Sequence, residues 1–325
     1  MQLLINTPVA QRSSLGVRRY LSRIISHMQW PGGIVQLTPS RHKAFSRLNE
    51  ILEPGHKGSI LWTPYQGGSI RAPHHVVTVH DCINIEYLYR NDIRLPFYLK
   101  LMEILLNRAE AVVAISHATR NAILRNFSVS ADRIKVIQSG LDTITDFPLT
   151  DQANGERPFV LLVTNALPHK NTVATCRAWA RSRGPREGVV LRVVGRLPDA
   201  AREVCHGISL SLEHGLDDSE LATAYSKCLF LIAPSLSEGH DLPVAEALGL
   251  GADVLCSDID VHREYYDGHV RFFDPLREDA IVEAIDWALN EPRPWFGQNR
   301  KLSRTFAEVA QDYIRLFQSI EERNS

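Results

Sequence analysis

The chain has 325 residues, 44% hydrophobic and 22% charged, with 19 Gly and 17 Pro. It is therefore long enough for two domains, and its composition excludes a disordered, collagenous or coiled-coil protein. The net charge of −1 hides an asymmetry: residues 1–150 hold 17 Lys+Arg against 10 Asp+Glu (+7), and residues 151–325 hold 19 against 27 (−8). No apolar run reaches the roughly 18–20 residues of a bilayer span, and no basic run interleaved with aromatics points to nucleic acid. The five cysteines (Cys82, Cys176, Cys205, Cys228 and Cys256) are scattered without a C-x-x-C, as suits reduced thiols in a cytoplasm, and offer no zinc framework. The opening MQLLINTPVA lacks the pattern of a signal peptide, so a cytoplasmic protein is expected.

In chain order, Leu3–Asn6 reads as a strand, and Gly16–Met28 as a helix with Val17, Tyr20, Leu21, Ile24 and Ile25 on one face. Strands follow at Gly58–Thr63 and His75–His80, a helix at Phe97–Ala109, a strand at Ala111–Ile115, a helix at His117–Asn126 and a strand at Ile134–Ile137. The Val/Ile runs do not alternate strictly, which predicts strands covered on both faces and hence a parallel sheet. Thr150–Pro158 is polar and turn-rich and reads as a linker between residues 1–150 and a second domain. The alternation then restarts. Strands are predicted at Phe159–Val163, Val189–Val194, Ile208–Leu212, Leu229–Ala233 and Val254–Cys256. Helices are predicted at Thr172–Ala180, Asp218–Ser226, Pro243–Leu250, Asp279–Leu289 and Ser303–Ser319. The expectation is α/β: two doubly wound parallel-sheet domains, with ligands beyond the carboxyl ends of the strands and a site in the cleft between.

The most informative segment runs from Pro234 to Asp258 and carries Glu238 in a loop and Glu246 inside the helix that follows. A carboxylate accepts from two neighbouring hydroxyls, so this pair suits the vicinal diols of a ribose or hexose. On spacing alone the blander reading stands beside it, with Glu246 complementing a helix dipole and Glu238 solvated. His80 closes a strand and is either a site residue or a structural histidine bonded to Asp81 or Asn84. Lys170 lies in a turn before a helix and suits an anion, or is a surface lysine ahead of a capping Asn171. Gly16 lies in the loop after the first strand, where the missing side chain lets backbone approach a phosphate, or serves as a plain turn. His74 and His75 lack a third metal ligand at suitable spacing, no Asp-x-Asp sits where a metal would be needed, and no metal site is assigned. No G-x-G-x-x-G follows a strand, which argues against a dinucleotide dehydrogenase.

The run Ser237-Glu-Gly-His-Asp-Leu-Pro-Val-Ala-Glu-Ala247, which holds Glu238, Gly239, Leu242 and Glu246, resembles the signature of the retaining glycosyltransferases of family 4, which have the GT-B fold. Phe159–Asn171 with its Pro-His-Lys-Asn, Gly215–Tyr225, Val261–Glu264 and Phe272–Pro275 are similar to further family segments in the same order. Weaker likenesses lie at Gly16–Tyr20, Val76–Asp81, Val113–Ser116 and Val136–Asp142.

The resemblance implies two facing Rossmann-like domains. The first, 1–150, would take the acceptor, with a C-terminal helix at about 303–325 packing back on it; the second, 151–302, would take a nucleotide-sugar donor. It implies Glu238, His80 and Lys170 as catalytic residues. Gly16, Lys170, Gly239, His240, Asp241, Leu242, Glu246, Gly215 and Leu216 would bind the donor. No cofactor is expected, the donor being a nucleoside diphosphate sugar, a GDP-sugar ahead of a UDP-sugar. The nearest likeness is to mannosyltransferases of bacterial surface-polysaccharide assembly, of the O-antigen and lipopolysaccharide kind. A glycan or lipid-linked oligosaccharide acceptor follows, with peripheral contact of the basic first domain at the inner face of the plasma membrane. Where the family has an aromatic residue and then glycine after Glu238-Gly239, this chain has His240 and Asp241. That departure supports the alternative of a catalytically weak scaffold that binds sugar nucleotides. The family's arginine ahead of the lysine is also missing, leaving Arg12, Arg18 and Arg196 as replacements.

Overall fold

The computed structural model describes residues 1–6, 15–37, 52, 53, 55, 58–141, 149, 157–296 and 304–324. The chain divides into two compact units, Met1–Gly140 with Arg304–Ser325, and Leu141–Ser303. The second unit begins at Leu141, ahead of the polar stretch 150–158, because Leu141 is buried in that unit's core with Phe159 and Tyr225. Residues 150–156 of that stretch lie outside the described residues.

In the first unit, strands β1 (Gln2–Ile5), β2 (Ile34–Gln36), β3 (Ser59–Thr63), β4 (His75–Val79), β5 (Ala111–Ala114) and β6 (Ile134–Val136) form one sheet in the order β2-β1-β3-β4-β5-β6. Every pairing is parallel. Strands β3 and β4 are buried at every position, which is why the sequence shows no period of two. Helix α1 (Leu15–His27) buries Val17, Tyr20, Leu21 and Ile24, the face read from the sequence. Helices α2 (Leu95–Arg108) and α3 (His117–Asn126) also cover the sheet, with Met102, Leu105 and Ala122 in its other core.

The last helix of the chain, α10 (Phe306–Arg323), completes this unit. A capping box between Thr305 and Glu308 starts it. Phe306, Val309, Ala310, Tyr313, Ile314, Phe317 and Ile320 then form a buried stripe at helical spacing. The Tyr313 hydroxyl is 3.0 Å from that of Tyr20 and 2.7 Å from Thr78 Oγ1, which also accepts from Trp62 Nε1 at 3.0 Å.

The second unit holds β7 (Phe159–Thr164), β8 (Val190–Gly195), β9 (Leu210–Glu213), β10 (Leu231–Ala233), β11 (Val254–Ser257) and β12 (Arg271–Phe273), in the order β12-β11-β10-β7-β8-β9. Counted within the unit this is 3-2-1-4-5-6, the doubly wound order whose direction reverses between its first and fourth strands, here β7 and β10. Its helices are α4 (Thr172–Arg181), α5 (Asp199–Val204), α6 (Asp218–Lys227), α7 (Leu242–Gly249), α8 (Asp260–Tyr266) and α9 (Glu278–Asn290). The sequence reading does not contain β2, α5, α8 or β12. Each is three to seven residues long, too short for a period to show. Among the described residues no helix is long and apolar enough to cross a membrane.

The start of α10 is held against the end of the sheet by Gly140, where an added Cβ would lie 2.7 Å from the Phe306 backbone nitrogen and 2.8 Å from its ring. Gly140→Ala is expected to cost about 1–3 kcal/mol, because backbone rather than a flexible side chain must yield. A lower urea midpoint at unchanged slope would show it.

Candidate functional site

The chain leaves β7 and makes one turn of 3₁₀ helix, Pro168–Lys170, before α4. Between them Asn171 adopts a left-handed backbone, φ 52°. Its side chain makes no cap bond to the helix and instead donates to the Pro275 carbonyl at 2.8 Å. The turn is tied to the loop after β10 by the Leu236 N–H, which donates to the His169 carbonyl at 2.7 Å. Lys170 is thereby held inward, its side chain 14% exposed, with Nζ 2.6 Å from Glu238 Oε1, itself on a side chain only 11% exposed. The readings of a surface lysine and a solvated loop acid are thus both replaced by a half-desolvated ion pair. It stands beyond the carboxyl ends of β7 and β10, where this sheet reverses direction.

Asp241 is next. It sits immediately before α7 with φ 68°, one of two non-glycine residues at positive φ among those described, the other being Asn171. Such a conformation costs a side chain of this kind on the order of 1 kcal/mol and is at home with glycine. The local backbone is therefore still the one a glycine would make. The Asp241 carboxylate is buried; Oδ1 lies 3.9 Å from Lys170 Nζ and Oδ2 3.0 Å from His262 Nε2. Burial would raise its pKa, but Lys170 and His262 outweigh burial and hold it at about 2. The other ring nitrogen of His262 is 2.9 Å from the Ser257 carbonyl and 3.0 Å from Ser257 Oγ. Burial works against charge on His262, yet the Cys256 sulfur and the Asp241 carboxylate beside it keep its pKa well above the usual histidine value. His240 is buried edge-on to Tyr265, ring centroids 4.6 Å apart, and the Tyr266 hydroxyl donates to the carbonyls of both His240 and Asp241 at 3.0 Å. Gly239 and Leu242 flank this turn, Leu242 as the first residue of α7.

Glu246 lies one turn into α7 and is 2% exposed, so it is not a carboxylate complementing a helix end. The hydroxyl of the fully buried Tyr225, on α6, donates to its Oε2 at 3.1 Å. Gly215, at φ 71°, and the half-buried Leu216 form the turn that leads into α6 and so to Tyr225. Lys170, Glu238 and Asp241 are thus one cluster, Glu246 and Tyr225 a pair on the helix that follows it, and Gly215 and Leu216 support that pair from the chain ahead of α6.

Gly16 and His80 belong to the first unit. Gly16 is the second residue of α1 rather than a loop residue, because the helix starts at Leu15. His80 directly follows β4, bonded neither to Asp81 nor to Asn84: its Nε2 donates to the Pro64 carbonyl at 2.9 Å, and its ring stands edge-on to Tyr20 at 4.8 Å. Burial, against that carbonyl bond, lowers its pKa to about 4, so the imidazole is neutral. His74 and His75 are structural, the first 2.9 Å from Glu110 Oε2 and the second 2.9 Å from Thr63 Oγ1. Of the replacement arginines, Arg18 and Arg196 are exposed and Arg12 is outside the described residues. His262 and Tyr225 carry no role in the sequence reading, although both stand in segments it singled out; only the tertiary structure brings them to Asp241 and Glu246.

Two family models match the chain: Glycosyltransferase Family 4 over residues 55–144, and Glycosyl transferases group 1 over residues 148–311. The O-antigen chain mannosyltransferase RfbU of Salmonella typhimurium is 25% identical over 247 residues, 73% of this chain and 67% of that protein. The MMP alpha-(1->4)-mannosyltransferase of Mycolicibacterium hassiacum is 28% identical over 191 residues, 56% of this chain and 46% of that protein. Among solved structures, sucrose-phosphate synthase from Thermosynechococcus elongatus superposes with a TM-score of 0.72 at 16% identity, covering 98% of each chain. WaaG, a glycosyltransferase involved in lipopolysaccharide biosynthesis, superposes with a TM-score of 0.64 at 14% identity, covering 97% of this chain and 95% of its own. The fold of this chain is the GT-B fold of such enzymes.

The depressed pKa of Asp241 has a consequence for acid stability. Its folded value lies below the ordinary 3.8, so its contribution is present above about pH 4 and disappears as pH falls toward 2. Asp241→Asn is expected to flatten the loss of unfolding free energy over that interval by about 1–2 kcal/mol, measured by urea titrations at pH 4.5, 3.5 and 2.5.

Proposed function

The chain belongs to the glycosyl transferases group 1 family, and we propose that it transfers a hexose, mannose first, from a nucleoside diphosphate sugar to a hydroxyl of a glycan or lipid-linked acceptor, with retention of anomeric configuration. A GDP-sugar is favoured over a UDP-sugar. Both curated relatives above are named as mannosyltransferases, and the O-antigen enzyme supports surface-polysaccharide assembly as the setting. The observation that carries the reading is the Lys170–Glu238 pair, 2.6 Å apart at the reversal point of the second sheet. A doubly wound sheet receives its ligand at that point.

In this reading Lys170 and the backbone N–H groups opening α7 meet the donor diphosphate, Glu238 faces the transferred sugar, and Glu246, steadied by Tyr225, holds the ribose hydroxyls. The C1–phosphate bond breaks and a C1–oxygen bond to the acceptor forms on the same face. The acceptor proton passes to the departing phosphate oxygen. Charge grows on that phosphate, and each well-placed donor there stabilises it by ~2.7–4 kcal/mol. His80, in the first unit, is neutral and so can act only as a hydrogen-bonding group and not as a charge. The scaffold alternative draws on His240 and Asp241; the pairing of the Asp241 carboxylate with Lys170 and His262 favours the transferase.

Peripheral contact with an anionic membrane at the cytoplasmic face is part of the proposal. Supporting it, Ile93 is 95% and Phe97 75% exposed at the start of α2, with Tyr89, Arg90 and Arg94 exposed beside them.

Two experiments test these readings. In a thermal-shift panel of GDP, UDP, dTDP and CMP, GDP at ~100 times its dissociation constant should add about 2.7 kcal/mol to wild type, a shift of a few degrees, and leave Glu246→Ala unmoved. Melting points unchanged by every nucleotide would remove the donor reading. In co-sedimentation, vesicles containing phosphatidylglycerol should retain wild type and release the Ile93→Asp/Phe97→Asp variant, whereas equal retention of both would discard the membrane face.

A further inference from the structure

His262 donates from both ring nitrogens. Nδ1 lies 2.9 Å from the Ser257 carbonyl oxygen, which can only accept, and Nε2 lies 3.0 Å from Asp241 Oδ2. An ionised carboxylate also only accepts, and the Ser257 hydroxyl, 3.0 Å from Nδ1, gives its proton to the Ser235 carbonyl, so these are the contacts of an imidazolium; a neutral ring would set a lone pair against one acceptor. The ring is fully buried on α8, and its anchor is the end of β11, so it cannot turn away without breaking the Ser257 contact.

Asp241 is the residue it holds. The left-handed turn before α7 suits glycine, and here it carries a carboxylate beside the residues proposed to meet an anion. Its oxygens are divided between two cations, Lys170 on one side and His262 on the other, while Glu238 shares the same lysine. With His262 protonated, two cations balance two carboxylates. With it neutral, the cluster is left with net negative charge.

We propose that His262 is a positioning residue for the donor: as a fixed imidazolium it neutralises the Asp241 carboxylate, so that this charge beside Lys170 and the start of α7 does not repel the diphosphate. The inference rests on the donor reading of this site and deepens it. The groups that face His262 are Asp241 from the turn before α7, Ser257 and the Cys256 thiol from β11, and Tyr266 from its own helix. Lys170, Glu238 and His240 complete the surroundings of Asp241 and Cys256. Burial pushes the Cys256 thiol up, and Asp241 Oδ2 is the carboxylate oxygen that faces Nε2, at 3.0 Å.

Binding of GDP and of UDP, measured by calorimetry on the intact chain from pH 7 to 9.5, tests this in a cycle of His262→Gln and Asp241→Gly. His262→Gln should weaken binding roughly tenfold when Asp241 is present, the size of losing one nearby charge, and less than twofold when added to Asp241→Gly. In wild type, affinity should fall as pH rises through the imidazolium's titration, and that limb should be missing from Asp241→Gly; the nucleotide's own titration is common to both. If His262→Gln does not fold, the comparison of wild type with Asp241→Gly decides, since glycine suits the turn. Equal weakening in both backgrounds, or the same pH limb in both, would overturn the inference while leaving the donor reading intact. Wild type binding neither nucleotide at any pH would overturn both.

Discussion

The second unit's site depends on one constraint: two carboxylates, Glu238 and Asp241, must stand close together, largely removed from water, at one end of a sheet. A buried charge is tolerated only with a partner of opposite sign and good geometry. Lys170, from the turn after β7, meets Glu238 from the loop after β10, and His262, from α8, meets Asp241 ahead of α7. Four chain segments converge there because the sheet reverses direction between β7 and β10, which opens room above their carboxyl ends. The left-handed turns at Asn171 and Asp241 bring the backbone into that space, and their strain is offset by the contacts of their own side chains.

The two units use histidine in opposite ways. His80 gives one proton to a backbone carbonyl and packs on Tyr20, surroundings that offer nothing to a positive charge, so burial prevails and the ring is neutral. His262 is buried as deeply but lies between a carbonyl and a carboxylate, so its surroundings demand the charge. Burial alone decides neither case; the acceptors facing each ring do.

Much of this was legible in the sequence. Unbroken Val/Ile runs announced parallel strands, and the stripe Val17–Tyr20–Leu21–Ile24 announced α1, because side chains covered on both faces or on one face leave a period behind. Lys170, Glu238 and Glu246 could be named because they lie in ordered motif segments. The partners could not. His262 is 21 residues from Asp241 and Tyr225 is 21 from Glu246, and no local pattern records such pairings. Gly16 was misplaced by one structural boundary, since a glycine reads as a turn whether it precedes a helix or opens one. Asp241 read as an obstacle to an anion, which an unpaired carboxylate would be; its neutralisation is a tertiary event.

The ownership of the last helix also bears on how the protein is made. Translation delivers β1 to β6 first, yet their core lacks Phe306, Tyr313 and Phe317 until the closing segment leaves the ribosome. The second unit, residues 141–303, emerges continuous and can close its sheet meanwhile. The unit synthesised first is therefore the one that finishes last, with Tyr20 and Trp62 waiting for their partner across the whole length of the other. A ribosome that stalls before Phe306 would release a chain whose damage lies at its beginning rather than at its broken end.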